Sequence, residues 1–477
     1  MDIPSTLLYT VLGSVSLVAL RIYWSKVAGK SAFISSTNCF VFLQVLWLIG
    51  TFMAVDLTRT EDRVWLAVNV GALVCFIVGC LFANAVNRFN SRAELVVFLS
   101  SPVTYDLESP WIILIVVVTA LASFAVGVAY AIRVGYNVFF LALRALAAGD
   151  VISQQKYSRL RLSISVEKYA ASGYAAQFVL ILLPLVLCLL YFRIRRRHRL
   201  GDVIACFLLA VADVYFLTIQ GGRGWLVLAT LQFVLLVSKY GPLPVERWCK
   251  APMLGRFALC AAIMFGVSAT VVSGRASNFG EGVVSGVSKE LYARLFGSAI
   301  ADQLTVIRQS ENAPIPAGAL WWRDLVSMLP AKKGIASGNE LYAMAYNGDT
   351  TGSMGLLMWG SCLYNWGPTG TLLVAVFSGY LIQRFTIACI RGPRLLSRIV
   401  VLFVAGLHLG QLRDPYSLFL DGFVSTMLFY FPFWIMRRRR RRAQATTVRG
   451  ARCRQYGLPA SSFGTTLSGR RMPSINN

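Results

Sequence analysis

The stretch Ile219 to Thr230, IQGGRGWLVLAT, sets one arginine among glycines at the junction of two apolar runs. Gly221, Gly222 and Gly224 allow backbone angles closed to other residues and let a ligand approach the main chain. Beside exposed N–H groups, the planar fork of Arg223 suits a phosphate; the plain alternative is an arginine that snorkels to lipid headgroups. In GQLRDPYS, Arg413 and Asp414 stand between two further apolar blocks, where they serve an anion and a proton, or simply pair with each other. His408 lies about one helical turn before them. A histidine inside an apolar block is a functional candidate by default, although a neutral ring bonded to a neighbouring helix explains it as well. Glu340 in SGNELYAM, Asp324 and Asp349 are candidate general bases, against the ordinary reading of solvated loop carboxylates. His198, inside RIRRRHR, reads as part of a charged anchor.

What must position these groups is a set of apolar helices. The chain has 477 residues, 56% of them hydrophobic, in blocks of bilayer length. Its mean hydropathy is +0.62. These features give an all-α polytopic membrane protein. The net charge of +25 does not point to nucleic acid, because the arginines cluster at the ends of apolar blocks, as cytoplasmic loops require. MDIPSTLLYT has no basic n-region and no cleavage site follows it, so the first block reads as a retained span. Most cysteines lie inside apolar blocks, with no CxxC and no metal-ligand spacing, which argues against a disulfide framework, a metal site or a metal cofactor.

About eleven transmembrane helices are expected, within a range of ten to twelve: 5–22, 32–55, 64–84, 110–132, 172–192, 202–219, 224–238, 257–272, 366–384, 397–411 and 417–436. The run from Val203 to Ser238 would reach about 50 Å as one helix, so it must turn back, and GGRG is where it turns. Basic loops at 193–199, 239–250 and 384–398 and the arginines at 437–442 agree with one alternating topology, N-terminus outside and C-terminus inside. The segment 133–171, with Arg144, Lys156, Arg159, Arg161 and Lys168, falls outside against the charge rule. Either function overrides the rule there or the count in the first half is off by one.

The expected organisation is an N-terminal bundle over 1–272, a large external loop over 273–353, C-terminal helices over 354–442 and a disordered basic tail over 443–477. The loop holds as many acidic as basic side chains, with prolines at 314, 316 and 330. After it, GSMGLLMWGSCLYNWGPTGTLLVAVFSGYL leads through Tyr364, Trp366, Gly367 and Pro368 into a clean span, its glycines suggesting backbone that lines a cavity. No internal repeat supports an inverted-repeat transporter.

In order along the chain, GGRGWLVLATLQFVLL, MLPAKKG, NGDTTGSMG and LYNWGPTGTLLVAVFSGYL resemble the O-antigen polymerases, which join lipid-linked oligosaccharide repeat units. The sequence departs from that pattern in having Gly222 where serine is common, and in its basic tail. The resemblance implies a GT-C-like membrane fold and a metal-independent glycosyltransferase of the inner membrane with no cofactor. It would transfer a growing glycan from undecaprenyl pyrophosphate to the next lipid-linked repeat unit on the periplasmic face. Donor, acceptor and membrane lipid are then the partners, with a chain-length regulator protein as a further one and no nucleic acid. Without a metal, arginines must meet the pyrophosphate: Arg223 first, then Arg413, with Arg323, Arg159 and Arg161. Lys332 and Lys333 would hold phosphate or order the glycan, and His408, Glu340 and Asp414 are the candidate bases. Trp321, Trp322, Tyr342 and Tyr346 can stack on sugar rings or fill a core. An O-antigen ligase and a lipid-linked oligosaccharide transporter remain open as alternatives.

Overall fold

The structure is a computed structural model that describes residues 5–29, 35–147, 160, 177–197, 199–219, 229, 298–309, 317–327, 340–341, 343–344 and 356–410. All lie in the first of two compact units, Met1–Met427; the second, Leu428–Asn477, is outside the described residues. In chain order the helices are α1 (Ser5–Ile22), α2 (Ser36–Ala54), α3 (Thr60–Val86), α4 (Ser91–Ser100), α5 (Pro110–Val134) and α6 (Val138–Ala147). They continue with α7 (Leu183–Arg197), α8 (Leu200–Thr218), α9 (Ser298–Gln309), α10 (Ala319–Ser327), α11 (Met358–Arg391) and α12 (Leu396–Gly410). Single π-helical turns extend α1 through Tyr23–Val27 and precede α7 at Phe178–Leu182. Among the described residues there is no strand, only a bridge from Thr104 to Leu395.

Seven of these helices are long and apolar enough to cross a membrane, so the chain is an all-α polytopic membrane protein. They fall where the first six expected spans and the ninth were placed. The tenth, 397–411, is represented by the 15-residue α12. Expected spans 224–238, 257–272 and 417–436 lie outside the described residues.

Local chemistry explains several boundaries. The hydroxyl of Ser35 accepts from the Asn38 N–H at 3.1 Å and starts α2, and Asn90 does the same for α4 through Ala93 at 3.2 Å. Pro110 opens α5, where its missing N–H costs nothing, and Gly135 at φ 77° closes it.

The core is the packing of α2, α3 and α11. Phe40 stacks on Phe76 at 4.5 Å between centroids, and Trp359 meets Phe40 edge-on at 5.7 Å. At the α3–α11 crossing, a Cβ on Gly79 would run into the Val376 carbonyl oxygen, and one on Gly379 into that of Phe76. Only glycine lets the two backbones touch there, the device by which helices associate when lipid removes the hydrophobic drive between them. Towards one end, Gln383 donates to Asn84 Oδ1 at 2.7 Å and accepts from Thr37 at 2.8 Å, a buried neutral latch across the same three helices.

The helices alternate between two ends. One, the arginine end, gathers 84–109, 192–202 and 391–398. There Arg391 binds Glu94 at 2.5 and 2.6 Å, Arg197 binds Glu108 at 2.9 Å, and the Asp106 carboxylate accepts from the Ser397 N–H at 3.0 Å. Arg196 lies over the Tyr105 ring and Arg394 over the Phe98 ring, each at 4.4 Å. Tyr105, in the link before α5, donates to the Phe192 carbonyl, and burial pushes its hydroxyl up to about 12. The opposite, loop end holds 55–60, 135–147, Ile219, α9, α10 and the start of α11. Asn137 donates to the Tyr215 carbonyl at 2.9 Å, and the Val138 N–H to that of Ile219 at 3.0 Å. The described start of the basic segment, 135–147, therefore shares an end with Ile219, while Lys156, Arg159, Arg161 and Lys168 lie outside the described residues.

Candidate functional site

The loop end is where charge, aromatic surface and the large loop meet. Two loop helices, α9 and α10, lie on the bundle, and α9 is fastened by one ion pair. Arg308 grips Asp62 in the first turn of α3 with Nε–Oδ1 at 2.9 Å and Nη2–Oδ2 at 2.6 Å. The Asp56 N–H adds a third donor at 2.7 Å. The Asp62 side chain is 0% exposed and that of Arg308 31%, so the carboxylate has left water and depends on this guanidinium. In return the carboxylate holds the Arg308 guanidinium in its charged form, with its pKa raised chiefly by their hydrogen bond. Beneath α9, Gly360 of α11 leaves room for the Gln303 side chain.

Helix α10 carries the second part. Ala317 and Gly318 both have positive φ, 48° and 81°, and Gly318 donates to the Asn365 carbonyl at 3.0 Å, which fixes the approach to α10 against α11. Trp321 donates its indole N–H to Ser361 at 2.9 Å and meets Trp366 edge-on, 6.0 Å between centroids. Arg323 pairs with Glu340, and both remain partly open to solvent. Tyr364 packs on the cluster of Val306, Leu320, Leu341 and Leu356, which joins α9, α10, the 340–341 segment and α11.

Of the residues singled out in the sequence, Arg323 and Glu340 are brought together. Each was expected in a separate role, one for pyrophosphate and one as base, yet each is now the other's partner. An anion that takes Arg323 must compete with Glu340 or release it as a free base. His408 stands on the last turn of α12. Two residues earlier, Gly406 abuts the Ser36 hydroxyl, level with the start of α2. At 1.5 Å per residue along α2, that is about 27 Å from the loop end, so His408 is not beside Arg323 and Glu340. Arg223, Gly221, Gly222, Gly224, Arg413, Asp414, Arg159, Arg161, Lys332 and Lys333 lie outside the described residues, as do Tyr342 and Tyr346. The expected irregular, cavity-lining approach to 366–384 is different over its described part: α11 already begins at Met358, with one non-helical joint at Gly367, φ 68°. The bonding-deficient Pro368 follows that joint, which is why the helix breaks there.

Two functional candidates escaped sequence reading. Asp62 reads as an ordinary acidic residue in a first helical turn, and nothing local reveals its burial. Asp213 did carry a signal, a carboxyl within an apolar span. It is 5% exposed in α8, and its Oδ1 has no hydrogen-bond partner. Among the described residues no three His, Cys, Asp or Glu side chains gather in a way that would hold a metal ion. Compared with known proteins, the chain matches no family model, no curated protein and no solved structure.

Proposed function

We propose that this protein is a metal-independent glycosyltransferase of the bacterial inner membrane that polymerises lipid-linked oligosaccharide repeat units. The observation that carries the reading is the partly exposed Arg323–Glu340 pair, next in sequence to the exposed indole of Trp322, at the loop end of an apolar helix bundle. The resemblance of GGRG and of the stretches around the large loop supplies the substrate class. In the reaction, a hydroxyl of the acceptor repeat unit attacks the anomeric carbon of the donor glycan. The new C–O bond forms as the bond from that carbon to the pyrophosphate oxygen breaks, and undecaprenyl pyrophosphate leaves with the electron pair. The hydroxyl proton passes to a carboxylate, for which Glu340 is the first choice once Arg323 turns to the pyrophosphate. Arg223 and Arg413 serve the same leaving group with fixed positive charge. The active face is periplasmic and the C-terminus cytoplasmic.

A strain lacking the chain tests this. Loss of a polymerase leaves lipid A core bearing a single repeat unit. Long chains stranded on the lipid carrier would instead make the protein a ligase. Arg223→Lys is expected to shorten the glycan, because an ammonium does not reproduce the bidentate fork; full-length glycan in that variant would remove Arg223 from the pyrophosphate. One observation favours a second reading. A transporter of the lipid-linked unit uses ionisable groups within its spans, and Asp213, buried in α8 with no hydrogen-bond partner on Oδ1, is such a group. Undecaprenyl-linked repeat units retained on the cytoplasmic leaflet of the deletion strain would select that reading.

A further inference from the structure

Two carboxyl side chains are buried among the described residues. Asp62 has the Arg308 guanidinium and the Asp56 N–H to bind it. Asp213 of α8 is 5% exposed, and its Oδ1 has no hydrogen-bond partner. It stands five residues before Thr218, so the loop end, about 8 Å away, is its nearer source of water; Leu200 at the other end is about 20 Å away. Gly127 of α5 abuts the Phe216 ring, which leaves no room for a Cβ, and Asp213 precedes Phe216 by one turn on the same face of α8. Phe216 shares an apolar cluster with Val179 of the π-helical turn and Leu183 of α7. From α7, Cys188 lies close enough to Asp213 for the two to interact electrostatically.

Among the described residues, no cation on the elements packed against α8 answers this carboxyl. Arg193, the first arginine along α7, pairs with Asp202 at 3.1 Å. Arg133, in the last turn of α5, and Arg144 of α6 are exposed, and the π-helical turn has no ionisable side chain. The other titratable groups there, Cys206 and Tyr215 of α8, Tyr191 of α7 and Tyr130 of α5, never become cations. An ionised carboxylate so placed has lost its water and gained neither a cation nor a donor on Oδ1, a cost far above that of the neutral acid. With a proton the side chain carries no charge, and what remains is an unmade hydrogen bond. We propose that Asp213 is a proton-binding site, which holds its proton as the neutral acid where α5, α7 and α8 pack together and exchanges it with water. The site goes beyond the glycan reading and does not depend on which substrate the chain takes.

The test is the infrared spectrum of the full-length protein in nanodiscs, with its aspartate carboxyl carbons isotope-labelled, recorded at neutral pH for wild type and Asp213→Asn. An un-ionised carboxylic acid absorbs as a carbonyl, well apart from the bands of a carboxylate. Wild type is expected to show an acid band that Asp213→Asn lacks. Transfer to heavy water is expected to shift that band as its O–H becomes O–D. Asparagine matches the neutral acid in shape and charge; if it nevertheless lowers membrane abundance, Asp213→Ser supplies the difference spectrum. A difference spectrum that holds a carboxylate band in place of the acid band overturns the site, because the group is then ionised. An acid band that heavy water leaves unshifted also overturns it, since the proton is then sealed in the fold and not exchanged. Neither result touches the glycan reading, which stands or falls on the ladder of the deletion strain.

Discussion

The two ends of the helix bundle use arginine differently. At the arginine end, Arg391, Arg196 and Arg197 sit on partly exposed carboxylates or ring faces, Arg193 and Asp202 pair at 3.1 Å between α7 and α8 with 14% and 17% of their side chains exposed, and Asn84, Gln383 and Thr37 make a buried neutral joint. At the loop end the buried joint is itself an ion pair, and it ties residues 246 apart in sequence. Anchoring to headgroups explains Arg391, Arg196 and Arg197, which keep water within reach. It does not explain the loop-end joint, where a carboxylate has been desolvated to hold a loop helix in one position. A bundle that commits a buried charge to fixing the loop is one whose loop must stay in register with the membrane helices. The Arg323–Glu340 pair on the neighbouring loop helix is the group that benefits.

This contrast orders the effects of breaking each contact. Arg308→Ala strands the Asp62 charge in a buried site and is expected to cost about 3 kcal/mol, near the low side of such losses because the guanidinium is partly exposed. Thermal unfolding of the detergent-solubilised protein reads this, and a change within error would mean that Asp62 is hydrated and the joint is not what holds α9. Gln383→Leu leaves Asn84 and Thr37 each short of one partner and is expected to cost about 1–3 kcal/mol. A loss as large as that of Arg308→Ala would erase the distinction between the two joints. Arg391→Ala is expected to cost about 0–1 kcal/mol at neutral pH, since both side chains are partly exposed and solvent screens the pair.

The last of these also has a defined pH dependence. The hydrogen bond from Arg391, more than its charge, holds the Glu94 carboxyl below its usual range against a smaller opposing effect of burial. A depressed carboxylate contributes stability that is full above its unfolded pKa and is lost as pH falls through the folded one. The difference in melting temperature between wild type and Arg391→Ala should therefore be constant above the ordinary glutamate range and shrink only on the acid side. A difference that grows on acidification would contradict the pairing.

The spans were legible because their signal is cumulative: a run of apolar residues of bilayer length survives errors at either edge. Gly367 and Pro368, read in the sequence as the entry to a span, instead mark a joint inside a helix that starts at Met358. That earlier start depends on Trp359 and Gly360 packing beneath elements distant in the sequence, which no local pattern contains. The same holds for Asp62, whose burial is decided by Arg308, and for Gly79 and Gly379, which read as ordinary glycines until the α3–α11 crossing brings their backbones together. Asp213 is the instructive case. Its signal was local and visible, and averaging hydropathy over the span concealed it.

The claim that chemistry belongs to the loop end, and anchoring to the arginine end, is tested most directly by the surface-glycan length in the deletion strain. The strain would carry either Arg323→Ala or Arg391→Ala at matched membrane abundance. Short glycan with the first and wild-type glycan with the second is the expected result. Wild-type glycan with Arg323→Ala, or equal shortening with both, would contradict it.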